Sequence, residues 1–182
     1  MNTTLRNAHA LGVELVRLLA KADLIRANAF MQHGDTSCLV HCIAVAYVSM
    51  KLLEFLHLRY DRKSLLRGAL LHDFFLYDWH THRRAEGERM HAFSHPTHAW
   101  RNARARVKLN AREEDIILRH MFPVTLTPPK YRESVAVCIA DKLCALHETL
   151  HPSCYAELKR IYAPAFKRAM HSDSSGGQNH EA

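Results

Sequence analysis

Apolar positions recur at helical spacing through most of this chain, and nowhere do they alternate for long enough to mark a strand. Leu5, Leu11, Leu15, Leu18, Leu19 and Ile25 set out a first, partly exposed helix over 4–28. Gly34-Asp35-Thr36-Ser37 breaks that pattern and offers N-caps. A long apolar helix over 37–58 follows, with Leu39, Ile43, Ala46, Met50 and Leu53 along one side. After a turn at 60–64, a third helix over 64–77 ends in aromatic residues. The polar, basic stretch 79–94 has no period and reads as a loop over a site. Helix resumes near Pro96, a first-turn proline after Ser94 or His95, and runs to Lys108. Asn110 caps a short helix over 111–121, with Glu113, Glu114 and Asp115 in its first turn. Pro123, Pro128 and Pro129 stiffen the next connection. A long helix over 130–151 is stopped by Pro152, and an amphipathic helix over 153–170 closes the fold. The pattern predicts an all-α, single domain over 1–170. The tail 171–182 has almost nothing apolar to dock and is expected to be disordered.

Composition sharpens this. Gly and Pro number 6 each in 182 residues, well under the usual share of about 12% for the pair. So few turn formers exclude a fold of many short strands. The formal charge of +7 favours an anionic partner, such as a phosphate ester, nucleic acid or a membrane surface. The longest apolar run, 43–48, falls far short of the ~20 residues of a membrane span. Glu14 and Arg17 interrupt any leader-like segment. A cytoplasmic protein without a membrane partner is expected. The five cysteines form no CxxC, and four sit in apolar helical stretches, as small buried residues of a reducing compartment would.

Histidine changes the picture most: there are 15, and imidazole is the commonest metal-binding side chain. His72-Asp73 means little as a dipeptide, since chance supplies about 0.7 such pairs at this composition. Its setting matters. It lies in the apolar run Leu65-Leu66-Arg67-Gly68-Ala69-Leu70-Leu71-His72-Asp73-Phe74-Phe75-Leu76. His41, Asp141 and His120 lie in comparable apolar helical stretches. Ionisable groups on apolar faces are costly to bury unless paired or metal-bound. Four helices that each carry one point to a common metal centre.

The order His41, His72-Asp73, His95, His120, Asp141 resembles the HD-domain superfamily of metal-dependent phosphohydrolases. So do the segments Arg67-Gly68-Ala69-Leu70-Leu71-His72-Asp73 and Phe93-Ser94-His95-Pro96-Thr97-His98-Ala99. The resemblance covers roughly 35–150 and implies a helical bundle around a metal centre. It implies that His41, His72, Asp73 and Asp141 hold a first metal. It also implies that His95 and His120 hold a second, with Asp73 bridging. Met121 stands where a second histidine would follow His120, and no Gly-Tyr-Pro signature occurs. Both departures count against the cyclic-dinucleotide phosphodiesterase branch.

The implied activity is hydrolysis of a phosphate ester, a nucleotide or other small phosphorylated metabolite, by metal-activated hydroxide. One or two divalent transition metals (Fe, Mn, Zn, Co or Ni) suit an imidazole-rich set better than Mg or Ca. Lys142, Arg83 and Arg84 are candidates for the positive charge that phosphoryl transfer needs. Asp78, five residues past Asp73, is the candidate general acid, as an acidic residue just after the motif is in single-metal relatives. Two alternatives stay open: a mononuclear 5'-nucleotidase-like enzyme using only His41, His72, Asp73 and Asp141, and a non-catalytic binder of metal or nucleotide. His98, one turn past His95, competes with it as a ligand. His147-Glu148-Thr149-Leu150-His151 fits the zincin motif H-E-x-x-H. Pro152 cuts that helix short and no clear third ligand follows, so the match reads as chance. Arg101, Arg104 and Lys108 share a helix face with no aromatic interleaving, so nucleic acid is not the expected partner. A homo-oligomer remains open.

Overall fold

The computed structural model describes residues 3–78 and 90–175. Seven α-helices make up nearly all of it: α1 (Thr3–Lys21), α2 (Cys38–Phe55), α3 (Arg62–Leu71), α4 (His91–Arg106), α5 (Ala111–Arg119), α6 (Arg132–Leu150) and α7 (Ala156–Ser175). The expected all-α class is what the structure has.

α2 is apolar on every side, the mark of a buried helix. Leu39, Ile43, Val45, Ala46 and Met50 on it are all buried. It lies between α6 and α3, and α5 closes the other side of α3 and α6. α2 is also the one described helix long and apolar enough to cross a membrane, yet 67% of that window is buried inside the protein. A single buried apolar cluster draws side chains from every helix, from Leu15 of α1 to Phe166 of α7.

Local chemistry sets the helix ends. Ser37 caps α2 by accepting from the Val40 amide, and Asp61 caps α3 by accepting from that of Ser64. Asn110 and Glu113 form a full capping box on α5, as the sequence leads one to expect for Asn110.

Five features differ from the sequence reading. The first helix stops at Lys21, because Asp23 takes a left-handed conformation (φ 55°) and a 3-10 turn follows over Leu24–Ala29. A short antiparallel pair, β1 (Met31–His33) and β2 (Thr36–Ser37), stands where no strand was expected. Gly34 turns it at φ +57°, a conformation glycine takes without strain. α4 begins at His91, so Pro96 lies inside the helix and the last residues of the expected loop are helical. α7 runs to Ser175, five residues into the segment expected to be disordered. The third helix also ends at Leu71, so His72 and Asp73 lie just past it. Residues 79–89, including Arg83 and Arg84, and the end of the tail lie outside the described residues.

Candidate metal centre

Five elements deliver the predicted ligands to one place. His41 sits in the first turn of α2, His72 and His120 are the residues that cap the C-termini of α3 and α5, His95 lies in α4 and Asp141 in α6. Asp73 follows His72 directly. All six side chains are buried. Gln32 of β1 and Asn102 of α4 brace the segment around Asp73. Gln32 donates to Asp73 Oδ2, and Asn102 donates to the carbonyls of Phe74 and Phe75.

The side chains fall into two groups that share Asp73. His41, His72, Asp73 and Asp141 bring one ligand atom each to within 4.8 Å of one another, and so do Asp73, His95 and His120. In the first group, Asp73 Oδ2 is 3.9 Å from His41 Nε2 and 3.6 Å from His72 Nε2. Asp141 Oδ1 is 3.1 Å and 3.6 Å from the same two atoms. In the second, Asp73 Oδ1 is 3.2 Å from His95 Nε2 and 3.4 Å from His120 Nε2. The two histidine nitrogens are 2.8 Å apart. Asp73 thus turns one oxygen to each group.

The opposite edge of three rings fixes their tautomers. His72 Nδ1 lies 2.7 Å from the Ala69 carbonyl and His120 Nδ1 lies 2.8 Å from that of Ile117. A carbonyl can only accept, so each Nδ1 carries a proton and donates it. That frees each Nε2 lone pair for the interior. His41 Nδ1 meets both oxygens of Glu148 at 2.9 and 3.0 Å. A carboxylate donating its charge through an imidazole in this way raises the ring's strength as a ligand.

Without a cation the cluster is charged by protons. Burial opposes a proton on His41, but hydrogen bonds to Asp141 and Glu148 overcome it and lift its pKa to about 10. His72 is raised well above the usual range against the same burial, chiefly by the Asp73 charge. Asp73 and Asp141 are held well below the ordinary carboxylate range. Burial opposes this, and the neighbouring histidines outweigh it. His120 goes the other way, because burial outweighs its contact with Asp73.

The donor set fits a divalent metal. His72 Nε2 and Asp73 Oδ1 are buried with no hydrogen-bond partner, a costly arrangement unless something else satisfies them. Metal–ligand bonds of about 2.0–2.2 Å meeting at about 90–110° hold ligand atoms roughly 2.8–3.6 Å apart. The observed separations are close to that range. The C-termini of α3 and α5 also end at the cluster, and their partial negative charge favours a cation.

A cavity of about 440 Å³ opens over the cluster. Lys142 lies on its wall, with Nζ donating to the carbonyls of His120 (2.8 Å) and Cys138 (3.1 Å), and standing 3.9 Å from Asp141 Oδ2. Asp78 is exposed and is not among the residues that line this cavity. His98 stands outside the ligand groups, its ring against Tyr77 at 5.5 Å, so His95 is the nearer ligand. In the zincin-like stretch, His147 and His151 are exposed while Glu148 is buried. On the basic run, Arg104 stacks on Trp100 and Arg106 on Phe74. Cys38, Cys42, Cys138 and Cys144 are buried free thiols, as expected.

Sequence reasoning missed two residues. Gln32 lies in a strand too short to leave a periodic signal. Glu148 had one: it follows Asp141 by seven residues, two helical turns, and so shares its face.

A family model described as HD domain matches residues 39–146. That is more than half of the chain, and every ligand above falls within it. The chain belongs to the HD domain family, which is generally one of metal-dependent phosphohydrolases, and its buried His/Asp cluster fits a metal site. No curated protein and no solved structure matches the chain.

Proposed function

We propose that this protein hydrolyses phosphate esters at a dinuclear centre. His41, His72, Asp73 and Asp141 would hold one divalent ion, and Asp73, His95 and His120 the other. The observation that supports this most is the single buried carboxylate of Asp73, with one oxygen turned to each histidine-rich group. Imidazole-rich ligands suit Fe, Mn, Zn, Co or Ni. Such ions supply a nucleophile from water near neutral pH and offset charge on the phosphoryl oxygens.

The chain's own side chains do the rest. Glu148 orients His41, and the carbonyls of Ala69 and Ile117 orient His72 and His120. Lys142 is pinned by two carbonyls, so its ammonium adds positive charge on the cavity wall beside Asp141. The phosphoryl group would enter there, and the cavity would hold the organic part, a nucleotide or another phosphorylated metabolite. Asp78 has no place in that lining, and we assign it no proton transfer. A reducing cytoplasm suits the free cysteines.

The test uses protein purified without a histidine tag, elemental analysis, and phosphate release with added Mn or Fe. Asp73→Ala should lose metal and turnover together; a variant keeping both overturns the centre. His95→Ala and His120→Ala should each lose one ion per chain. A second reading, a single-metal nucleotidase, draws on the 2.8 Å contact of His95 with His120. One ring can donate to the other there, so that pair can satisfy itself with no ion. An unchanged metal ratio in both variants selects it. Metal bound without release from any ester selects the non-catalytic binder.

A further inference from the structure

Among the described residues, the cavity over the cluster is polar at its floor and apolar on its walls. Asp73, His95, His120 and Asp141 form the floor. Met90, Ala92, Met121, Val124 and Ala145 form the walls. Among the described residues two other polar side chains line it: Gln32 donates its amide N–H to Asp73 and leaves one buried oxygen as an acceptor, and Lys142 donates to two backbone carbonyls. Resting on the hydrolase reading above, we propose that the substrate is a phosphate ester whose organic part is an apolar chain rather than a nucleoside.

The physical case has three parts. A ribose and base entering this space would set hydroxyls and ring nitrogens against methyl and thioether groups. Each polar group that gives up water without a partner weakens binding. An apolar chain gains from the same walls, by up to about fourfold in affinity for each methylene fully buried. Methionines at 90 and 121 can also shape themselves to such a chain.

The apolar surface continues past the mouth. α6 advances about 100° per residue. Going round the helix from the cavity side at Asp141, Ala145 and Lys142, the next positions are Val135, Leu146, Ile139, Leu150 and Leu143. All five are exposed, by 42% to 63%. A chain longer than the cavity would leave it at Lys142 and meet this strip.

The experiment pairs binding with turnover. Binding of ethyl-, butyl-, hexyl- and octylphosphonate to the manganese-loaded protein is followed by calorimetry. Phosphate release is measured from the matching alkyl phosphates and from adenosine 5'-monophosphate. Affinity should rise about two- to fourfold per methylene, and the longer esters should exceed the nucleotide in kcat/KM. Val124→Gln and Met121→Gln should flatten that slope. Leu126→Gln, on the same connection but 90% exposed and off the cavity, should keep it. Phosphate release with no chain-length slope, or with the nucleotide preferred, overturns the apolar substrate and leaves the hydrolase standing. A clear slope in phosphonate binding with no release from any ester removes the hydrolase and supports apolar recognition.

Discussion

Replacing Glu148 by alanine should weaken metal binding by about 10- to 100-fold. The side chains of Glu148 and His41 are fully buried, and both Glu148 oxygens lie within 3.0 Å of His41 Nδ1. Alanine would remove both carboxylate oxygens that this buried N–H meets. An orphaned buried donor costs about 1–3 kcal/mol. At ~1.4 kcal/mol per tenfold, this is one to two decades of affinity, the range known for carboxylates behind metal-bound histidines. Glu148→Gln keeps an oxygen that can accept and fills similar space. It loses the charge that makes such a bond about twice as strong, so about three- to tenfold is expected. The assay is competition with a chromogenic chelator at fixed pH. His147→Ala is the control, since His147 is exposed and outside both ligand groups. Wild-type affinity in Glu148→Ala would refute the reasoning. Metal loss in His147→Ala would restore the zincin reading of the same five residues.

Three further outcomes are expected. Gly68→Ala puts a Cβ 2.9 Å from Cβ of Ile116 and 2.5 Å from its Cδ1. Overpacking of ~1–3 kcal/mol should exceed the gain of up to ~1 kcal/mol in helix propensity. Denaturant melts should show a net loss, partly rescued by Ile116→Val, and a null result would mean α3 and α5 yield freely. Asp61→Ala should cost ~1 kcal/mol as a lost N-cap. The Ser64 amide, against some burial and helped by the Ser64 hydroxyl, lowers the Asp61 pKa. Its contribution is therefore complete above the unfolded value of about 3.9 and fades as pH falls through the lower native value. Melts from pH 7 down to 2 should show the gap to wild type closing. Finally, metal binding should release protons, because His41, lifted to about 10, is protonated on both nitrogens at pH 7 without metal. Affinity should rise with pH between 6 and 8, and calorimetry in buffers of different ionisation enthalpy should read the proton. A pH-independent affinity contradicts it. The same raised value stabilises the metal-free fold fully below about pH 6.5, and that contribution is lost as pH climbs towards 10.

The readable parts of this molecule are those where one residue type decides the outcome. His41, His72, Asp73, His120 and Asp141 stand out because each is ionisable in an apolar stretch, His95 is legible only through the family resemblance, and all six meet in space. Asn110 reads as a cap because its amide and Glu113 complete a local ring of bonds. The N-terminus of α4 does not read, because Pro96 suggests a first turn and the helix starts five residues earlier, with no side-chain cap to mark the place. The hairpin that carries Gln32 is too short for a period. Its tip is held by a distant partner, Asp35 accepting from the amide and hydroxyl of Ser153. Lys142 was legible as a charge beside Asp141, but not as a tether. Only the structure brings the end of α5 within reach of its ammonium.

The same device occurs at the ends of α3 and α5. In each, a histidine closes the helix and donates its ring proton to the carbonyl three residues back. Donor and acceptor belong to one turn of chain, so the aim of each ring is encoded locally. The rotamer search that a buried imidazole would otherwise face after collapse is over once the helix end has formed. Two of the six ligands thus arrive with side-chain entropy already spent. Of the three rings so oriented, only that of His41 depends on a residue from a distant helix, Glu148 of α6, so its aim is set by the packing of α2 on α6.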